Sequence, residues 1–264
     1  MQQLFNTLGC ATLSSSRLLT GRYIATAECS EHLVVGADAS VELILHNIEG
    51  ELRIDLERGA KLRLVRLTIQ SDCNSMLRVT LNDSAECYAT DVLLSASAVG
   101  LDIKLEGQHS HIDVGGVFLV SGEERASVTA DVAHRTEDTT SRIKYKGVAS
   151  GLSRGEFSGL VYVAPGAQHT DSEQLSRNVA IGKARVNTKP QLEIYADDVR
   201  CSHGATVGQL DEQAVLYMRQ RGLSLEMAQR LQIEGFVSDV VLHSAIEECR
   251  DDLVEVLNEK LQTL

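Results

Sequence analysis

The 264-residue sequence contains no Trp, only 2 Pro and 4% aromatic residues. With so few large rings, a core has to be built from aliphatic layers, for which the 43% hydrophobic content suffices. Positive charge is also scarce, since 25 Lys+Arg face 37 Asp+Glu for a formal net charge of -12. Such a chain repels a phosphate backbone or an anionic bilayer, so nucleic acid and membranes are not expected partners. No stretch approaches the roughly 18 to 20 apolar residues of a helical membrane span. Met1 to Ser16 lacks a basic start, and Asn6, Thr7 and Gly9 interrupt any apolar segment, so a secretory signal is not expected. Arg17 and Arg22 are the only charges in the first 27 residues, which leaves an organellar address open beside the expected cytoplasmic one.

Other absences concern chemistry. The six cysteines (Cys10, Cys29, Cys73, Cys87, Cys201, Cys249) form no C-x-x-C and no zinc framework, so reduced thiols are expected. There is no G-x-x-x-x-G-K-[ST], dinucleotide fingerprint, G-x-S-x-G or H-E-x-x-H, which sets aside the common nucleotide-binding and hydrolase classes.

What is present is a period of two. Short runs alternate apolar and polar residues between about Leu33 and Cys201: VELIL (41–45), ELRIDL (51–56), KLRLVRL (61–67), MLRVTL (76–81), LDIKL (101–105), ASVTADV (126–132) and FSGLVYV (157–163). They read as strands separated by turns such as Arg58-Gly59-Ala60 and Pro165-Gly166. An antiparallel sandwich and a parallel β-helix with coils of roughly 20 to 25 residues both fit this spacing. Scarce aromatics and the absence of Asn-Gly hairpin turns favour the stacked coils, with Gly115-Gly116 and Gly147 to Gly155 read as corners.

After Gly208 the period becomes helical. Asp211 and Ser224 are placed to cap two helices, and Gly222 sits where a left-handed residue ends the first. Val237, Val240, Val241 and Ser244 share one face, and Leu253, Leu257, Leu261 and Leu264 another. The expected division is a short segment over 1–32, a solenoid over 33–207 and a helical region over 208–264. Residues 209–264 hold 11 acids against 5 bases, half of the net charge, which suits a solvated helical face or a docking surface.

The densest group of reactive side chains is ADDVRCSHGATVG, residues 196–208. On an extended backbone Cys201 and His203 project from the same face, a thiolate and imidazole pair suited to iron, zinc or copper(I). Arg200 and His203 would enlarge the thiolate fraction of Cys201. Two ligands do not complete a site, and the plainer alternative is a core thiol with a turn histidine before Gly204. His109 and His111 offer a second same-face pair near Asp113. The adjacent acids at Asp197-Asp198, Glu123-Glu124, Glu247-Glu248 and Asp251-Asp252 read as solvated turns or helix faces, since neighbours on a strand point to opposite faces. A polysaccharide-acting enzyme on a β-helix is the alternative function, though the aromatic platforms of sugar sites are missing.

The run KARVNTKPQLEIYADDVRCSHGATVGQLDEQAVLYMRQRGLSLEMAQRLQIEGFVSDVV (183–241) resembles the C-terminal signature of the SufB/SufD family of iron-sulfur cluster assembly proteins, and IYADDVRCSHGAT is closest to its SufD branch. HRTEDTTSRIKYKGVASGLSRGEFSGLVYVAPGAQHTDSEQLSRNVAIG (134–182) is similar to the same family. The resemblance implies a mainly β chain, a right-handed parallel β-helix followed by a C-terminal α-helical subdomain. It implies a non-catalytic scaffold that pairs with a SufB-like protein, or with itself where SufB is absent. It also implies docking of a SufC-like ABC ATPase, whose ATP-driven motion exposes the interface where a transient cluster is built. The family's interface Cys and His fall on Cys201 and His203, and the SufC-facing surface on Asp211 to Val241, with Tyr217, Arg219, Arg221 and Phe236 as candidates. No tightly bound cofactor is expected of this chain alone, and the involvement of a flavin stays open. Family members typically carry a helical extension before the solenoid, which the segment over 1–32 is too short to supply.

Overall fold

A computed structural model describes residues 5, 9–13, 16–26 and 32–263; Cys29, Leu264 and most of the Met1 to Ser16 stretch lie outside the described residues. Among the described residues seventeen strands fall into two sheets that alternate along the chain. The odd strands are β1 (Ala11–Thr12), β3 (Gly21–Ala25), β5 (Ser40–His46), β7 (Lys61–Thr68), β9 (Glu86–Leu93), β11 (His111–Val120), β13 (Thr140–Ala149), β15 (Asp171–Ala180) and β17 (Arg200–Gly208). The even strands are β2 (Arg17–Leu18), β4 (His32–Val35), β6 (Gly50–Leu56), β8 (Asn74–Leu81), β10 (Ala98–Leu105), β12 (Arg125–His134), β14 (Arg154–Val163) and β16 (Arg185–Ile194). Each pairs in parallel with the next strand of its own sheet, giving a parallel β-solenoid. The seven alternating runs all lie on strands, but the coils begin earlier than the hydrophobic pattern suggests: β3 already pairs with β5, inside the expected 1–32 segment.

Parallel register stacks the inward side chains in columns. One runs Val41, Leu62, Cys87, Ile112, Ser141, Ser172, Cys201, and its neighbour Leu43, Leu64, Ala89, Val114, Ile143, Gln174, His203. The coils widen along the chain, from a register offset of 21 residues between Ser40 and Lys61 to one of 31 between Thr140 and Asp171. That drift in period is why no sequence repeat is visible. Corners use left-handed backbone: Gly122, Gly151 and Gly182 stack with φ of +59°, +71° and +71°.

The wider coils hold large residues after all. Tyr145, Phe118 and Phe157 are the largest fully buried side chains. Gly115, Gly116, Gly147 and Gly155 therefore lie within strands rather than at corners, and of the glycines read as corners only Gly151 occupies one. Three of them make room for rings: a Cβ on Gly116 would sit 2.1 Å from the Tyr145 ring, and one on Gly147 would sit 2.1 Å from Phe118. Gly116→Ala is expected to cost about 1–3 kcal/mol in urea unfolding, the range for overpacking a dense core. A cost near zero would mean that the Tyr145 ring has space to move.

The helices are α1 (Glu212–Gln220), α2 (Leu225–Leu242) and α3 (Arg250–Leu261). Asp211 accepts from the Gln213 and Ala214 amides, Ser224 accepts from Met227 N, and Gly222 has φ +97°, so each proposed cap is used. The apolar faces of α2 and α3 (Ile233, Val237, Val241, Leu253, Leu257) cover the outward residues Ile44, Val65, Val92, Val117 and Val148 of the odd-numbered sheet. Among the described residues no helix is long and apolar enough to cross a membrane.

Candidate functional site

Strands β16 and β17 end their sheets, each bonded to one neighbour only. The inward residues of this last coil consequently have no further layer above them. Cys201 and His203 are two of them, facing the same way on β17 as alternation requires. Cys201 is half-buried and packs against a small cluster around Val161, Val163 and Ala196, whereas His203 is exposed. Exposed Tyr195 and Val207 border this open end.

Below the last coil the interior is hydrogen-bonded instead of aliphatic. His134 uses both ring nitrogens, with Nδ1 2.7 Å from Thr139 Oγ1 and Nε2 2.9 Å from Ser141 Oγ. Ser141 Oγ lies 2.8 Å from Ser172 Oγ, directly beneath Cys201 in register. Gln174, beneath His203, crosses the interior to donate from Nε2 to Ala130 O at 3.0 Å, a path left open by Gly159. Its Oε1 is buried without a partner. The hydrogen bonds among His134, Ser141 and Ser172 hold one side-chain arrangement, and Gln174 keeps an unpaired oxygen beside them, so the floor of the site is polar while its roof is open.

Burial pushes the Cys201 thiol up, opposed by a hydrogen bond from the Ser172 backbone and reinforced by the Asp171 carboxylate. The net shift is upward, opposite to the thiolate enrichment expected from Arg200 and His203. For Arg200 the reason is alternation, which aims its side chain at the opposite face. A metal can displace the proton from such a thiol, and Cys with His suits iron or another borderline ion. Among the described residues no three His, Cys, Asp or Glu side chains gather to hold a metal, so this pair would need donors from another chain. All five described cysteines are free.

The second histidine pair is not built. His109 occupies a turn at φ +59°, off the strand that His111 begins, because the corner requires a left-handed residue there. Asp198 faces His169 in a turn, Glu124 pairs with Lys260 across 2.6 Å, and the other adjacent acids fall at Glu247–Cys249 and the first turn of α3, so no carboxylate dyad forms.

Helix α1 buries none of its residues. Tyr217 is exposed, with the Arg221 guanidinium 4.7 Å from its ring centroid, and Arg219 is exposed nearby. Leu216, Leu225, Met227 and Leu231 are also exposed, a group that residue-type reasoning passed over. Phe236 stands apart, partly buried against the solenoid with Lys146 Nζ 5.0 Å from its ring centroid. Nine residues make too short a helix to be stable without packing, and α1 packs on α2 while leaving Leu216 and Tyr217 exposed.

The chain matches the family described as SUF system FeS cluster assembly, SufBD core domain, over residues 23–236. It is 29% identical to the iron-sulfur cluster assembly protein SufD of Escherichia coli over 237 residues, 84% of this chain and 56% of that protein. It is 32% identical to SufD of Bacillus subtilis over 60% of this chain and 36% of that protein. Identity is 36% with a SufBD family protein of Synechocystis, over 47% of this chain and 27% of that protein. The chain thus spans about half the length, or less, of the curated relatives it matches. Because the matched region runs from β3 to Phe236 in α2 and includes the whole last coil, the chain belongs to the SufBD family of iron-sulfur cluster assembly proteins.

Proposed function

We propose that this chain is a non-catalytic scaffold subunit whose open solenoid end meets a SufB-like partner and presents Cys201 and His203 to a nascent cluster. The observation that carries the reading is the position of this pair: inward on the last strand, above a polar floor and with no coil over it. A second chain docked there would place its own donors above Cys201 and His203 and also cover Tyr195 and Val207. The cluster is cargo in this scheme, and the chain alone holds no resident cofactor. The exposed α1 surface around Leu216, Tyr217, Arg219 and Arg221 would receive a SufC-like ATPase, whose motion opens the shared interface. Phe236 contributes from within, by seating α2 on the solenoid. With SufB absent, a second copy of this chain would occupy the same end. The cytoplasm is the compartment we assign.

Copurification with a SufC-like ATPase and a SufB-like scaffold tests the assignment. A stable complex is expected, and failure to assemble where authentic partners assemble overturns it. In the assembled complex His203→Ala is expected to leave the subunit ratio intact and to lower cluster yield in reconstitution by roughly tenfold, the scale of weakened metal ligation. An unchanged yield removes His203 from the mechanism.

A further inference from the structure

Pairing of β12 with β14 runs from Arg125 opposite Arg154 to Thr129 opposite Ser158 and resumes at Val132 opposite Val161, so Ala130 and Asp131 drop out of an otherwise regular ladder. The register that sends Arg154 N to Glu124 O would give the Ala130 carbonyl to the Leu160 amide. Gln174 takes that carbonyl instead, donating to it from Nε2 at 3.0 Å, and Leu160 N donates to Asp131 Oδ1 at 2.9 Å. The facing strand is shaped for the intrusion, since a Cβ on Gly159 would sit 2.4 Å from Gln174 Nε2. Filling a core does not require a side chain of one sheet to displace a backbone hydrogen bond of the other, and local departures of this kind concentrate at functional sites.

The displaced bond also fixes which end of the amide is which. A carbonyl only accepts, so the group on Ala130 O is the NH2 and the other atom of the Gln174 amide is an acceptor. That atom, Oε1, is buried without a partner, and an acceptor shut away from water with no donor is unfavourable. Its neighbours along β15 are engaged, Ser172 with Ser141 and Ser176 with Asn178, and aliphatic Ile143 lies beneath Gln174 in register. Directly above it on β17 is His203, exposed and not bonded to Oε1 in the uncovered chain.

We propose that Gln174 is the positioning residue for His203: when the open end is covered, its Oε1 accepts one imidazole N–H, which selects one tautomer and leaves the lone pair of the other nitrogen for a metal. This rests on the reading of His203 as a ligand. A neutral imidazole has one donor and one acceptor nitrogen, and ligating histidines commonly give their N–H to an oxygen that orients the ring. Strand spacing of about 4.8 Å puts the amide within reach of an imidazole on β17 once the ring turns inward. Docking of a partner excludes the water that hydrates the exposed ring, so its N–H needs an acceptor within the protein.

Cobalt(II) titration of the assembled complex, read by absorption, tests the proposal. Gln174→Met is expected to weaken binding about tenfold, the scale for losing the partner of a ligating histidine, and Gln174→Glu, which keeps an acceptor oxygen, to recover most of that loss. In a His203→Ala background Gln174→Met is expected to have no further effect, because the ring it positions is gone. An equal loss in that background, or no recovery with Glu, would give the amide a structural role and overturn the proposal. Unchanged binding in His203→Ala overturns the ligand reading and the proposal with it, whereas a loss there with none in Gln174→Met overturns the proposal alone. Nitrogen NMR of the native complex with isotope-labelled histidine needs no Gln174 variant. The His203 ring, assigned by its absence from His203→Ala, is expected as one neutral tautomer above its titration range, and a mixture of tautomers overturns the proposal.

Discussion

Asp91→Ala is expected to remove about 3–5 kcal/mol of stability, the range for leaving a buried charge without its partner. Asp91 points into the solenoid from β9 and receives Arg66 Nε at 2.8 Å, Arg66 Nη2 at 2.6 Å and the Tyr145 hydroxyl at 2.5 Å. Arg66 Nη1 donates to Gly100 O at 2.9 Å, so the fork is held on both sides. Both Arg66 and Asp91 are 2% exposed, and water cannot replace the lost carboxylate. The carboxylate favours the charged Arg66 and, together with burial, holds the Tyr145 hydroxyl protonated well above its usual range. Chemical unfolding in urea measures the loss, and a value under about 1 kcal/mol would mean that solvent reaches the pair. Combining Arg66→Met, Asp91→Leu and Tyr145→Phe is expected to recover most of the loss, since an apolar trio of similar volume has no charge to desolvate. Failure of that triple variant would assign the network a packing role beyond its charges.

This network marks the limit of what the sequence discloses. Strands with aliphatic residues at alternate positions, such as β6 and β12, are legible because period two and burial coincide there. β15, DSEQLSRNVA, is largely polar, yet Ser172, Gln174, Ser176 and Asn178 are buried in it, with Val179 the one apolar residue beside them. An inward polar residue carries no hydrophobic signal, and only its partners in neighbouring coils justify its burial. Gly116 likewise reads as a corner until Tyr145, 29 positions later, is laid across it in register. The helix caps were legible since each is settled within four residues of chain. The pairing of Cys201 with His203 follows from strand alternation, but their place on the last coil depends on where pairing stops.

Stability is expected to fall by about 2 kcal/mol between pH 7 and pH 5 through His134 alone. Desolvation lowers its pKa to about 4, with a small opposing effect from the Asp171 carboxylate. The ring is fully buried and its two nitrogens are committed to Thr139 and Ser141, so the folded state keeps it neutral. In the unfolded chain the same imidazole protonates near its ordinary value of about 6.5. Between those values the unfolded state binds the extra proton, so the contribution is complete above about pH 6.5 and is lost as the pH falls toward 4. Urea midpoints of the native chain and His134→Gln at both pH values isolate the effect, since carboxylates titrate alike in the two proteins. The variant is expected to be less stable at pH 7 and to lose less on acidification. Equal acid sensitivity would show that His134 is protonated in the folded state. The same comparison bears on the site: Ser141 passes its hydrogen bond to Ser172 beneath Cys201, so protonating His134 would disturb the floor on which that thiol rests.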